Sequence, residues 1–354
     1  MTREIKIGVG LVILIGLGVG VYYQQKKDAA QGTITAAQDL PDFKGTDDVD
    51  KIAITTTKEG KLTEVVLEKK GDKWELTKPV NAPANQANVK SLLDNMKEVK
   101  LTETIARKAD DATKANYELD NDHALHLVTF KGADKKLDAT FGKSGGRGNM
   151  VMVTGKPDVY AASGYSGWMY ARTPSDFRDK EMFKFDDANI TGVIITNKNG
   201  TFDFSKSEKW TAKFKPEKKD QKPIERFDES KLTAALGAWK NLTAEDFGDG
   251  KPVSDTGLNA PEATVTIALK DGTHTLRVGK VSSGGSRYAL RDSDSTVFVI
   301  GSFNADWATA EVGKFQKPLD GGAEKPEGPP DGMGMGMPPG MQMPPGMGRP
   351  PGHP

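Results

Sequence analysis

Two glycine-rich parts of the sequence carry residue types that can bind an anion or a sugar. Gly-Lys-Ser at residues 142–144 resembles the end of a phosphate-binding loop, but Leu137 stands where that motif requires its first glycine. The segments 144–147 and 283–287 combine glycine and serine with an arginine, and backbone N–H groups in such segments can hold an anion or a sugar. We interpret the first motif as a turn after a strand and the two segments as hairpin loops in which glycine supplies a positive φ. Sugar binding by the two loops stays open as the alternative.

Histidine and methionine are the candidate metal ligands, because the chain of 354 residues contains no cysteine. His123 and His126 lie three residues apart near the start of a predicted strand. That spacing sends the two side chains to opposite faces of a strand, so we predict no zinc site. Six of the 12 methionines lie between residues 333 and 347, and His353 follows them. Thioethers are soft ligands that suit Cu(I), so copper binding by this segment is a third functional hypothesis.

The sequence shows no set of residues for nucleophilic or hydrolytic catalysis. The lack of cysteine excludes disulfides, thiolate metal sites and cysteine nucleophiles. Neither a G-x-S-x-G nor an H-E-x-x-H motif is present, and acidic pairs such as Asp47-Asp48 and Asp110-Asp111 are typical of solvated loops. Lys and Arg total 49, as do Asp and Glu, so no net charge attracts nucleic acid. We predict a non-catalytic protein without a cofactor and assign no catalytic, cofactor-binding or metal-binding residue.

The N-terminal segment, residues 1–23, is predicted to anchor the chain in a membrane. Residues 7–23 contain no charge and, as a helix rising ~1.5 Å per residue, span about 26 Å, close to the hydrocarbon thickness of a bilayer. A retained signal anchor is favoured over a signal peptide cleaved near residues 29–30, and over a buried soluble helix, which would show a polar face. The flanking charges favour a cytoplasmic N-terminus. The chain is therefore expected in the cell inner membrane as a single-pass protein, with its bulk in the periplasm or otherwise outside the cytoplasm.

From residue 49 to about residue 318 the sequence contains two similar units in tandem. Each unit contains a Lys-Trp pair, and the two tryptophans, Trp74 and Trp210, stand 136 positions apart. Both lie in predicted strands and are predicted to be core anchors. Further matches follow in the same order at offsets of up to 143: Tyr117-Glu118-Leu119 with Thr256-Gly257-Leu258, Gly142-Lys143 with Gly279-Lys280, and Trp168 with Trp307. The repeated order predicts a duplication.

The clearest match between the two units is an amphipathic helix. Starting from Val89 and from Leu232, apolar residues recur at positions 0, 3, 4, 7 and 10 in both units. That spacing places them on one face of a helix. Asn85 and Asp228 stand four residues before the first of these positions, and both residue types are good N-caps.

Each unit is predicted to be an antiparallel sheet covered by one amphipathic helix, which is an α+β architecture. In the final 32 residues, 24 are Gly, Pro or Met, a composition that cannot bury enough surface to fold, so we expect disorder there. The predicted domains are a membrane anchor (1–23), a polar stalk (24–48), a first α+β repeat (49–185), a second α+β repeat (186–318) and a disordered tail (319–354).

Several segments of the second unit carry a family resemblance. They are Lys209-Trp210, residues 257–261 (Gly-Leu-Asn-Ala-Pro), residues 276–280 (Leu-Arg-Val-Gly-Lys) and residues 297–300 (Val-Phe-Val-Ile). Together they resemble the domain of unknown function 4340 family of bacterial envelope proteins, over about residues 49 to 318. Phe177-Arg178-Asp179-Lys180 is similar to the joint between that family's repeats. In the first unit Asp120-Asn121-Asp122 replaces the Asn-Ala-Pro that follows the leucine.

The resemblance implies a protein encoded beside ABC-type transporter subunits of the gliding-motility kind. The expected function is thus a non-catalytic, membrane-anchored envelope protein, an accessory or scaffold subunit of an ABC-type transporter or envelope assembly. Its expected partners are the membrane, through the N-terminal helix, and transporter subunits in the envelope, with no nucleic acid. The alternative is a polysaccharide or peptidoglycan binding module that uses its sheet faces and the loops 144–147 and 283–287.

Overall fold

One antiparallel sheet and one long helix form each half of the described chain. The computed structural model describes residues 48–58, 61–219, 222–292 and 294–318. Within these residues the first sheet has nine strands and the second has eight. Neighbouring strands pair antiparallel in both sheets. The α+β class predicted from the sequence is therefore confirmed, and the exact boundaries of the two repeats stay predictions.

The first sheet and its helices occupy the chain up to residue 170. The strands are β1 (Lys51–Lys58), β2 (Lys61–Lys70), β3 (Lys73–Lys78), β4 (Ala82–Pro83), β5 (Lys100–Ala106), β6 (Leu125–Lys131), β7 (Asp134–Gly145), β8 (Gly148–Val153) and β9 (Val159–Ser163). The helices are α1 (Gln86–Glu98), α2 (Asp111–Asn116) and α3 (Gly167–Tyr170). Across the sheet the strand order is β4-β3-β2-β1-β6-β7-β8-β9-β5.

The second sheet repeats this arrangement. Its strands are β10 (Ile190–Asn197), β11 (Gly200–Lys206), β12 (Trp210–Pro216), β13 (Asp246–Phe247), β14 (Ala263–Leu269), β15 (Gly272–Val281), β16 (Arg287–Arg291) and β17 (Phe298–Ile300). The helices are α4 (Glu229–Lys240), α5 (Val253–Thr256) and α6 (Ser302–Ala308). The strand order is β12-β11-β10-β14-β15-β16-β17-β13, which is the order of the first sheet without its edge strand β4. The duplication seen in the sequence is thus present in the topology.

The two long helices begin where their capping residues predict. The Asn85 side chain accepts a hydrogen bond from the backbone N–H of Asn88 at the start of α1, and Asp228 accepts one from Ser230 at the start of α4. Such caps satisfy backbone N–H groups that have no partner inside the helix. The apolar face then packs on the sheet; its buried residues are Val89, Leu92 and Met96 in α1, and Leu232, Ala235, Leu236, Ala238 and Trp239 in α4.

The main core of each half lies between the long helix and the sheet. Trp74 belongs to the core under α1 and Trp210 to the core under α4, and they are 8% and 9% exposed. The prediction that both tryptophans are core anchors is confirmed. Removing such a side chain from water contributes on the order of 2–3 kcal/mol through the hydrophobic effect.

Each sheet also carries a second, smaller apolar cluster. In the first half this cluster includes Ile105 of β5, Val159 of β9 and Leu119. Leu119 lies in the segment 107–124, which contains α2 and follows β5 directly. In the second half it consists of Leu258, Tyr288, Leu290 and Val299. The predicted architecture of one helix per sheet is therefore incomplete, because loop segments around α2 and α5 contribute apolar residues to a separate cluster.

Trp168 and Trp307, which the sequence matches with each other, lie in different surroundings. Trp168 is the second residue of α3 and is 63% exposed, whereas Trp307 lies near the end of α6 and is 7% exposed. Phe303, the second residue of α6, is 64% exposed. The match in residue type between the two tryptophans therefore does not extend to a shared environment.

Three predicted segments fall outside the described residues. They are the anchor (1–23), all but the last residue of the stalk (24–48) and the tail (319–354) with its copper hypothesis. In the part of the chain that the structure does describe, none of the helices has the length and apolar composition to cross a bilayer.

Candidate functional site

The two Gly-Lys motifs lie inside strands, which corrects the prediction of a turn after a strand. Gly142 belongs to β7 and Gly279 to β15, and both strands change register at this point, as a β-bulge does. A Cβ at Gly142 would lie 2.2 Å from the carbonyl oxygen of Tyr117, and a Cβ at Gly279 would lie 2.2 Å from that of Thr256. The glycines are therefore needed for a close approach between backbones. This contact accounts for the motif without a phosphate.

The predicted hairpin loops are confirmed as hairpins. Residues 144–147 contain the last two residues of β7 and the two-residue turn to β8. Residues 283–287 contain most of the turn between β15 and β16 and the first residue of β16. Gly284 and Gly285 have φ of +56° and +90°, as expected where glycine supplies a left-handed turn. The arginine of the second segment, Arg287, donates to Glu262 at 2.7 Å.

The two predicted histidines are paired with different carboxylates. His123 Nδ1 lies 2.7 Å from Asp120 Oδ1 in the turn before β6, and His126 Nε2 lies 2.8 Å from Asp138 Oδ1 between β6 and β7. They do not converge on a common point. Among the residues that the structure describes, no group of three or more acidic or histidine side chains is arranged to hold a metal ion.

Asp138 is the most strongly perturbed acid of the first repeat, and the sequence did not reveal it. Its carboxylate accepts hydrogen bonds from Lys135 at 2.7 Å and Thr154 at 2.5 Å, in addition to the contact with His126. Burial, the largest single influence, raises the pKa of Asp138, but the hydrogen bonds of its three partners together outweigh it and lower the pKa to about 2. The Thr154 hydroxyl donates to the carboxylate and not to the imidazole, so the group forms no nucleophile–base relay.

Asp138→Asn is expected to lower the free energy of unfolding by about 1–2 kcal/mol at pH 7, after allowance for solvent screening of a partly exposed group. The folded-state pKa of about 2 lies below the usual value of 3.8. The contribution of the carboxylate is therefore fully present above about pH 4 and is lost as the pH falls through about 2. Unfolding of wild type and variant at pH 7 and at pH 2 measures this difference. Asp111→Asn, at a fully exposed carboxylate, is the control; a wild-type-to-variant difference that stays constant with pH would contradict the assignment.

A cleft of about 650 Å³ lies beside this group. It is bordered by the segment around α2 on one side and by β7 and the end of β8 on the other, with Thr140, Thr154, Lys156, Asp120 and Asp122 among its lining residues. Its charges are mixed, and hydrogen-bonding groups outnumber apolar ones. The cleft can therefore accept a polar ligand.

The segment Phe177-Arg178-Asp179-Lys180 lies between the two sheets, as a joint does. Phe177 is buried in the core of the first half, and Phe183, six residues on, is buried in the core of the second. Backbone hydrogen bonds connect the segment to both sides, from Asn85 N–H to the Phe177 carbonyl and from Met182 N–H to the Leu242 carbonyl, each 2.8 Å long. The joint is thus attached to both halves by buried side chains and backbone hydrogen bonds.

Arg178 is the central side chain of this joint. It is 5% exposed, although arginine is rarely buried unless it is paired. Its Nη1 donates to Asp249 at 2.5 Å, and its guanidinium lies 3.4 Å from the centre of the Phe247 ring. The pair joins residues 71 positions apart, which no local sequence pattern reveals.

A second cleft, of about 310 Å³, lies between the joint and the 283–287 loop. We call it the joint cleft and define it by Glu245, Asp246, Phe247, Lys251, Ser282, Ser283, Ser286, Tyr288 and Val299. The Glu245 carbonyl accepts from Lys180 Nζ of the joint at 2.8 Å, and Asp246 accepts at 2.6 Å from Ser175 Oγ, two residues before the joint. One of the two hairpin loops for which sugar binding was the open alternative therefore borders a cleft.

The comparison with protein families finds one family over most of the described chain. Residues 74–261 and 250–318 match the family described as Domain of unknown function (DUF4340). No curated protein and no solved structure matches the chain. The two family matches together span residues 74–318, which is well over half of the 354 residues. The resemblance inferred from the sequence is thereby confirmed, and the chain belongs to the DUF4340 family.

Proposed function

We propose that this protein is a membrane-anchored envelope protein that acts as a non-catalytic accessory or scaffold subunit of an ABC-type transporter or related assembly. One observation carries the proposal: each half exposes an aromatic side chain on the short helix that follows its sheet, Trp168 in α3 and Phe303 in α6. They are 63% and 64% exposed. Exposed aromatic residues are enriched where proteins bind each other.

The joint supports a scaffold role for the two halves. A scaffold must hold its contact surfaces at a fixed separation, and the buried Arg178 with its partners Asp249 and Phe247 restrains the two halves relative to each other. The two aromatic contacts then act as one bivalent surface, in which the first contact raises the effective concentration of the second.

The membrane location is proposed from the sequence. The uncharged residues 7–23 are long enough to span a thin bilayer, and the charges on either side favour a cytoplasmic N-terminus. The two α+β halves would then lie outside the cytoplasm at the inner membrane. The family resemblance supplies the transporter as the partner class.

Co-purification from native membranes in a mild detergent tests the proposal. We expect stoichiometric recovery of transporter subunits, identified by mass spectrometry, with the wild-type chain. The double variant Trp168→Ala/Phe303→Ala is expected to recover at least about tenfold less of these transporter subunits. Each aromatic contact in a hot spot contributes about 2 kcal/mol or more to the free energy of binding.

Leu62→Ala provides the matched control for this experiment. Leu62 is 66% exposed, so its removal also takes away an exposed apolar side chain, but it lies on β2 away from the two helices. Recovery with this variant is expected to equal that of wild type. Wild-type protein recovered alone, or partners retained equally by the double variant, would refute the scaffold function.

A second candidate is a glycan-binding module. The specific observation in its favour is the joint cleft, which the Ser- and Gly-rich loop 283–287 borders. Serine and tyrosine hydroxyls beside carboxylates match the hydroxyl groups of a sugar in hydrogen-bonding capacity. The glycan would belong to a polysaccharide or to peptidoglycan.

A further inference from the structure

Tyr288 presents a hydroxyl that no group of the described chain bonds. It lies on β16, is 7% exposed and lines the joint cleft. Within the described part of the chain its hydroxyl makes no hydrogen bond, although its ring is packed in the cluster with Leu258 and Val299. The protein uses neither the donor nor the acceptor capacity of this hydroxyl, which makes it a candidate to bond a ligand group in the cleft.

The charged residues around the joint cleft indicate which net charge a ligand can carry. Glu245 and Asp246 bring two carboxylates, and Lys251 brings one ammonium group. The excess of negative charge disfavours an anionic ligand. Each carboxylate has one hydrogen bond from the protein, from Ser286 at 2.7 Å and Ser175 at 2.6 Å, and retains further lone pairs that can accept from hydroxyl groups.

The remaining groups complete a site for a neutral, hydroxyl-rich ligand. Phe247, which is half-buried at the wall of the cleft, presents an apolar ring. Ser283 carries a hydroxyl that has no hydrogen-bond partner among the described residues, and it lies in the loop whose glycines adopt positive φ. The volume of about 310 Å³ is at the lower end for small-molecule sites. We propose that the joint cleft binds a short segment of a neutral glycan, with Tyr288, Ser283 and the carboxylates of Glu245 and Asp246 bonding its hydroxyl groups.

A ligand in this cleft would also act on the joint. Asp246 is bonded to Ser175, the Glu245 carbonyl is bonded to Lys180, and the Phe247 ring lies against Arg178. Two of the wall residues are therefore in direct contact with the joint, and the third is bonded to Ser175, two residues before it. Binding is expected to raise the melting temperature of the protein, because ligand that binds only the folded state stabilises it.

This inference rests on the glycan-binding candidate and is independent of the scaffold role. The test uses the purified full-length chain in a detergent without a sugar headgroup, titrated by calorimetry with chitotetraose and with maltotetraose. We expect saturable binding of at least one oligosaccharide. Tyr288→Phe, which keeps the ring and removes the hydroxyl, is expected to weaken it about 3- to 10-fold, the effect of one lost hydrogen bond.

The controls separate a binding effect from a folding effect. Tyr288→Phe is expected to melt at the wild-type temperature, because the hydroxyl has no partner to lose. Tyr160→Phe, at a buried tyrosine of the first repeat, is expected to bind as wild type does. The proposal is overturned if neither oligosaccharide binds, if Tyr288→Phe binds as tightly as wild type, or if trilysine or inorganic phosphate binds in their place. Co-purification of transporter subunits would persist in each of those outcomes if the scaffold proposal is right.

Discussion

Alanine in place of Gly142 or Gly279 is expected to lower the free energy of unfolding by about 2–3 kcal/mol, the range of severe overpacking. The new Cβ would lie 2.2 Å from a backbone carbonyl oxygen in either case, that of Tyr117 or that of Thr256. A backbone carbonyl cannot rotate away as a side chain can. In the first repeat the same Tyr117 oxygen accepts the hydrogen bond of Lys143 N–H at 3.0 Å, so moving it breaks this bond as well.

Chemical unfolding of the purified full-length chain, followed by tryptophan fluorescence, measures the effect. Gly237→Ala is the control, since Gly237 lies in α4 without a positive φ, and a Cβ added there would meet no atom within 4 Å. This substitution is expected to stabilise the protein by about 0.5–1 kcal/mol through helix propensity. If Gly142→Ala and Gly237→Ala both left stability unchanged, the close backbone approach would be refuted.

The two long helices were predictable because their signals are local. Apolar spacing at 0, 3, 4, 7 and 10 reports a helix face within a dozen residues, and the caps Asn85 and Asp228 stand directly before the first turn. The duplication was predictable for a related reason, since matched order over a long stretch requires no knowledge of contacts. The sheets followed from the alternation of apolar residues between turn signals.

The Gly-Lys motifs show what local signals miss. A glycine followed by lysine after apolar residues predicts a turn. Here the glycine lies inside a strand, because the loop that contains Tyr117 or Thr256 packs directly on it. The loop has its own constraint: Glu118 has φ +56°, and its counterpart Gly257 has φ +74°. Only the tertiary contact explains why both repeats keep a glycine in the strand.

The candidate site was less predictable than the fold. The loop 283–287 was identified as a possible sugar-binding segment from its composition, but the cleft beside it depends on Glu245 and on Tyr288, which no motif marked. The His126–Asp138 contact was missed because the spacing of the two histidines was considered, and not their carboxylate partners on the adjacent strand. Side-chain partners across strands depend on register, which the sequence does not give.

Arg178→Ala is expected to lower the free energy of unfolding by about 3 kcal/mol, near the lower end of the range for breaking a buried ion pair. Arg178 is buried but Asp249 is half-exposed, so water can solvate the carboxylate that is left behind, and the loss stays below the upper end. The variant also removes the contact between the guanidinium and the Phe247 ring, whose centre is 3.4 Å away. Both contacts connect the joint with the second half.

Differential scanning calorimetry distinguishes a loosened joint from a general loss of stability. Without Arg178 the two halves are expected to unfold as separate steps, the second half at lower temperature, because each retains its own core. A double-mutant cycle with Asp249→Ala isolates the ion pair, for which we expect a coupling of about 1–2 kcal/mol. Arg147→Ala, at an exposed arginine of the first hairpin loop, is expected to change stability by less than about 0.5 kcal/mol.

The result bears on function as well as on stability. If the joint holds Trp168 and Phe303 at a fixed separation, Arg178→Ala should weaken partner recovery even though it leaves both aromatic side chains in place. The bivalent surface would lose the advantage of effective concentration while each single contact remained. A variant that melts in two steps yet recovers its partners as wild type does would show that the two halves bind independently, and that the joint serves folding alone.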